Sequence, residues 1–137
     1  MRVSLVLASA VALVFAGTAL AGNWATVKLS STPRGVSAGA TWVVDITVLQ
    51  HGLASQPLCC VKPKLTIRRV PSDRSLSGAA KQLTFAARPT GRIGVYRARV
   101  VFPQTGMWRY EVFDGFTEYG GARTHTFPAV RIGPRKP

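Results

Sequence analysis

The chain has 137 residues, enough to bury one hydrophobic core and no more. It carries 18 Lys and Arg against 5 Asp and Glu, a formal +13, so its surface field favours anionic partners. The charge comes with no basic helix and no nucleic-acid-binding motif, which argues against nucleic acid as the partner.

In chain order, the first expected element is a targeting segment. Residues 1–21, MRVSLVLASAVALVFAGTALA, have a basic start at Arg2, an apolar run from Val3 to Phe15, and small residues at Ala19 and Ala21. This is the pattern of a secretory signal peptide with cleavage before Gly22. The apolar run is short for a bilayer span and no second hydrophobic stretch follows, so no transmembrane segment is expected after cleavage. Residues 22–137 then carry 17 basic and 5 acidic residues, a formal +12, with most of the basic residues spread along the chain. Such a field suits an anionic envelope component; a solvated basic surface with no partner is the plainer alternative.

The rest of the chain reads in period two. The run TWVVDITVLQ from Thr41 places Trp42, Val44, Ile46 and Val48 on one face and Val43, Asp45, Thr47 and Leu49 on the other, the mark of a half-buried strand. The same reading predicts strands at Ala25–Ser30, Thr41–Gln50, Val61–Arg69, Lys81–Arg88, Val95–Phe102, Met107–Phe113 and His125–Ile132. Turn signals such as Thr-Pro-Arg-Gly, Gln-His-Gly and Arg-Pro-Thr-Gly fall between the runs, and no stretch sustains a helical period. The expected fold is all-β, a seven-stranded immunoglobulin-like antiparallel β-sandwich over residues 22–133, followed by a short basic tail, 134–137.

Residues 94–113, GVYRARVVFPQTGMWRYEVF, hold the fifth and sixth predicted strands. In the immunoglobulin-like arrangement these belong to opposite sheets, so Pro103-Gln104-Thr105-Gly106 is an arch and Tyr96, Ala98 and Val100 face Trp108, Tyr110 and Val112. A tight hairpin is the competing reading, and both bury the same apolar set. Trp42, Tyr96 and Trp108 are expected in one buried cluster, with Arg97, Arg99, Arg109 and Glu111 in water.

The segments GNWATVKL (22–29), DITVLQHG (45–52) and GVYRARVVFPQTGMWRYEV (94–112) resemble the YtkA-like family of exported bacterial domains. The resemblance spans most of the chain after the signal and rests on core and turn residues. It implies an immunoglobulin-like domain, secreted or held in the periplasm or cell envelope, and an association with copper handling. The chain departs from the usual copper-carrier pattern, with no Met-rich segment and no His near Gly22.

Few residues can carry chemistry. Cys59 and Cys60 are adjacent, with Cα atoms about 3.8 Å apart, below the usual disulfide window of about 4.4–6.8 Å. A strained vicinal bridge, a mixed disulfide, a soft-metal site and an incidental packed pair remain open readings. Strand reversal gathers the connections after the second, fourth and sixth strands at one pole. His51, Cys59, Cys60 and His125 map there, together with Asp114 and Glu118, and two imidazoles with thiolates suit copper or zinc. Their spacing matches no ligand motif, and an exposed His51 with a structural His125 is the plainer reading.

The acids Asp45, Asp73, Glu111, Asp114 and Glu118 are scattered, and no nucleophile elbow or phosphate loop occurs, so no enzymatic activity is expected. The sequence therefore reads as an exported, noncatalytic sandwich for binding or an envelope structural role. Its expected partner is an anionic envelope component or a membrane protein. The alternative is a copper or zinc binder at the loop pole.

Overall fold

The structure, a computed structural model, describes residues 25–50, 53–54, 61–71, 81–116 and 121–137. The expected signal peptide, residues 1–21, lies outside these, and among the described residues no helix is long and apolar enough to cross a membrane.

The described chain is all-β, with nine strands: β1 (Ala25–Leu29), β2 (Thr41–Gln50), β3 (Leu53–Ala54), β4 (Lys64–Arg69), β5 (Gln82–Ala86), β6 (Arg88–Pro89), β7 (Val95–Val101), β8 (Gly106–Phe113) and β9 (Thr124–Ile132). They form two antiparallel sheets, one ordered β1-β2-β7-β6 with β3 pairing β2, the other ordered β5-β4-β8-β9. Inward residues of both sheets share one core, which makes the architecture sandwich-like.

Alternation in the sequence becomes alternation in burial. On β2, Trp42, Val44, Ile46 and Val48 are buried while Val43 is 43% exposed. Trp42, Tyr96 and Trp108 lie buried in one cluster, as the strand phases predict. The indole N–H of each tryptophan still needs an acceptor. Trp42 donates to Ser31 Oγ at 2.9 Å, and Trp108 donates to the Gln104 carbonyl at 3.0 Å, pinning the turn that leads into its own strand. Aromatic contacts continue across and along the core: Trp42 meets Tyr110 of the other sheet edge-on at 5.6 Å, and Tyr110 stacks on Phe127 of the neighbouring strand at 5.3 Å.

β7 and β8 belong to different sheets, so the link between them is an arch and the hairpin reading is set aside. Two expectations need correction. The strand expected at Val61–Arg69 starts at Lys64, after Pro63, which has no N–H to give to a ladder. The single strand expected at Lys81–Arg88 is two strands in two sheets, which with β3 raises the count from the expected seven to nine. β5 pairs β4 as far as Ala86, Ala87 donates its N–H to the Pro63 carbonyl at 3.0 Å, and Arg88 then pairs with Arg97 of β7. The chain thus steps from one sheet to the other at Ala87.

The two long margins of the sandwich differ. At one, Ser37 bridges Gly133 in parallel, Ala38 N donates to Gly133 O at 2.9 Å and Gly39 N donates to Phe102 O at 2.8 Å, lacing the sheets together. At the other, where the chain changes sheets, a cleft opens between β5 and β6–β7.

β9 contains an irregularity that sets the face of a candidate residue. Trp108 pairs with Val130 but Tyr110 pairs with Phe127, so β9 carries one extra residue around Pro128 and Ala129. A bulge of this kind reverses the side-chain phase. Val130 and Ile132 face the core beyond it, and His125 shares the inward phase of its pair partner Val112 before it.

Candidate functional site

Of the expected ligands, His51, Cys59 and Cys60 lie outside the described residues, as does Glu118 of the same pole, while His125 is described and in contact with Asp114. Asp114 follows β8 and its side chain is fully buried. Its Oδ1 accepts from the Phe116 N–H at 2.9 Å and the Arg123 N–H at 3.1 Å, and its Oδ2 lies 2.9 Å from His125 Nε2. The Asp114 N–H in turn donates to the Arg123 carbonyl at 3.0 Å. A buried carboxylate persists when its oxygens are filled in this way. Chemically, it bridges the turn leaving β8 to the approach to β9 and aims one imidazole edge.

Gly115 shows why the turn takes this shape. Its φ is +68°, and a Cβ there would come within 2.6–2.7 Å of the Lys62 backbone. Only glycine combines that conformation with that approach. The segment entering β4 is therefore packed against the turn that carries Asp114. Among the described residues no group of three or more His, Cys, Asp or Glu side chains converges to hold a metal ion; Asp114 and His125 are a pair.

The second place is one that the strand-by-strand reading did not single out. The margin cleft, about 790 Å³, is lined by Arg88, Arg92, Arg97 and Arg99, with Thr84 and Phe85 of β5 opposite. Strand phase explains the convergence: Arg97 and Arg99 occupy successive outward positions of β7, and Arg88 stands directly across from Arg97 on β6. Arg92 comes from the turn between β6 and β7.

One carboxylate organises this group. Asp45 on β2 pairs across the sheet with Arg97, whose Nε and Nη2 reach its two oxygens at 2.7 and 3.0 Å; Arg92 Nη2 joins at 3.3 Å. The Arg97 hydrogen bond, with the charges of Arg97 and Arg92, holds the Asp45 carboxyl below its ordinary value of 3.8. Arg92 and Arg97 keep 70% and 53% of their side-chain surface exposed, and among the described residues Arg88 and Arg99 have no ion-pair partner. Two of the four cleft arginines thus share a single acid, Asp45.

Like charges directly opposite on a sheet cost stability. Here that arrangement occurs twice, at Arg88–Arg97 and, on the other sheet, at Arg68–Arg109 beside Arg69. The available sequence signal was local density: RPTGRIGVYRAR, residues 88–99, places four of the 18 basic residues within one turn and its flanking strands.

No family model matches this chain, and no curated protein matches it. Among solved structures, a superoxide reductase (neelaredoxin) from Ignicoccus hospitalis aligns over 87% of this chain and 88% of its own at 12% identity and a TM-score of 0.41.

Proposed function

We propose that this chain is an exported, noncatalytic, immunoglobulin-like β-sandwich module that binds an anionic partner through its arginine-lined margin. The carrying observation is the cleft itself: four arginines converge on it, two without a partner among the described residues, across a cross-strand pair that repels itself. An anion laid between these groups relieves the repulsion and engages planar forks suited to bidentate contact. The order β1-β2-β7-β6 against β5-β4-β8-β9 supports the immunoglobulin-like reading, as does the resemblance to YtkA-like domains. The signal-like start supports export.

The test is retention on immobilised heparin across a salt series. Retention should fall steeply between low and moderate salt, because exposed charges are screened beyond about 8–10 Å. It should also fall at low salt in an Arg88→Ser/Arg99→Ser variant. Salt-independent retention, or retention unchanged in that variant, rejects the reading.

A second reading, copper or zinc at the loop pole, draws on one specific contact. With His125 Nε2 held by Asp114, Nδ1 is the nitrogen left to a ligand, and a carboxylate behind an imidazole is a common support for a metal-binding His. Cys59, Cys60 and His51 would complete such a site. Metal analysis of protein purified without chelator tests it, with Cys59→Ser/Cys60→Ser as the control. Stoichiometric copper or zinc lost in the control supports the site, and protein that refuses both metals rejects it.

A further inference from the structure

We infer that the anionic partner is an extended acidic polypeptide segment that adds to the outer edge of β5 as a further strand and lays its carboxylates onto the cleft arginines. The inference rests on the anion-binding reading above and specifies what occupies the site.

Two independent features meet at this margin. The first is the edge. β5 ends its sheet, so the backbone groups on its outer side pair with no strand among the described residues. An open edge is a template for another strand, and proteins usually guard one with charge, proline, brevity or a cover. The other strands at the sheet ends carry such guards: β9 contains Pro128 and continues into Gly133, which bridges Ser37, β6 is two residues long and includes Pro89, and β1 presents Lys28. β5 reads QLTFA, five residues with neither charge nor proline.

The second feature is charge, and its spacing fits a strand. Arg97 and Arg99 are two residues apart on one face of β7, a repeat of about 6–7 Å, which is also the repeat of alternate side chains on an extended peptide. Acidic residues at every second position therefore match them in step. Arg88 and Arg92 extend the basic wall, and Thr84, Phe85 and Pro89 give the backbone and small side chains of the guest a floor. Main-chain pairing supplies affinity in this mode of recognition, and the side-chain pockets supply selectivity. A phosphate polymer satisfies the arginines but makes no use of the edge.

The experiment measures binding to the purified protein by fluorescence anisotropy, with a labelled nonapeptide of alternating Glu and Thr as the probe. Two further versions carry backbone N-methyl groups at the odd or at the even positions. An edge-paired strand points alternate N–H groups at its host, so one methylated version should lose about tenfold in affinity, the effect of one or two lost hydrogen bonds, while the other retains it. Arg88→Ser/Arg99→Ser should weaken all three, and hydrogen exchange should show the bound peptide protecting amides within residues 82–86. Equal binding by both methylated versions, or inorganic polyphosphate binding tightly where the peptide does not, overturns strand docking and leaves the anion site standing. Failure of peptide, polyphosphate and heparin alike rejects both readings.

Discussion

The carboxylates of Asp45 and Asp114 each make three hydrogen bonds, yet they do opposite things. Asp114 is fully buried and is met by two backbone N–H groups and one imidazole, so its bonds fix the path of the chain. Asp45 is met only by guanidinium nitrogens from two exposed arginines, so its bonds arrange side chains and leave surplus positive charge at the surface. Backbone donors turn a carboxylate into part of the fold. Arginine donors turn one into the organiser of a binding surface. The bonds of Asp114 are accordingly spent inside the fold, whereas the arginines around Asp45 keep surface for a partner.

Substitutions can break this comparison. The largest expected effect lies in the core on which both regions rest: Trp108→Ala should cost about 3–5 kcal/mol in denaturant unfolding, the range for emptying a large buried aromatic site. A much smaller loss would mean that the tryptophan does not support the arch above it. At the pole, Asp114→Ala leaves two backbone donors without their acceptor and should cost about 2–4 kcal/mol. Amide exchange at Phe116 and Arg123 should accelerate in the same variant. If stability barely moves, the carboxylate is not structural and the contrast with Asp45 collapses.

Gly115→Ala sharpens the same point without touching a charge. The left-handed conformation alone costs a side-chain-bearing residue about 1–2 kcal/mol, and the Lys62 backbone adds to it, so a loss of about 2 kcal/mol is expected. At the cleft, Arg88→Ser/Arg99→Ser should change stability by no more than about 0.5 kcal/mol, as surface substitutions do, while retention on a polyanion falls. A large loss of stability there would make these arginines structural too.

The smallest effect is a pH dependence. The Asp45 carboxyl is lowered in the folded chain, so its contribution is fully present above the ordinary value of 3.8 and is lost as pH falls through the lower folded value. The stability difference between the protein and Asp45→Asn should therefore be flat above that value and shrink below it. It should also shrink with added salt, since Arg92 and Arg97 are exposed. A difference that grows on acidification reverses the sign and removes Asp45 from its assigned place.

Much of the fold was legible because burial follows period two. Trp42, Tyr96 and Trp108 could be assigned to one core from strand phase alone, and each of the seven expected runs contains a strand. Less of the site was legible. Asp114 reads as one of five scattered acids, and what makes it special is that two N–H groups and an imidazole from the far side of a loop meet it. His125 was placed near the loop end, but its face depends on the extra residue around Pro128 and Ala129. Counting back by twos from Ile132 would turn it to solvent.

By itself, the sequence determined the all-β class, the inward and outward faces of the main strands, and the excess of positive charge, because these follow from side-chain chemistry repeated every second residue. Tertiary structure alone decided that residues 82–89 divide between two sheets, that one margin is laced by Ser37 and Gly133 while a cleft opens at the other, and that Arg88, Arg92, Arg97 and Arg99 share that cleft, two of them held by Asp45. The physical reason is that these features depend on which backbone edges pair. Pairing is a contest among hydrogen-bonded registers of segments far apart in the chain, and local alternation carries no record of the winner.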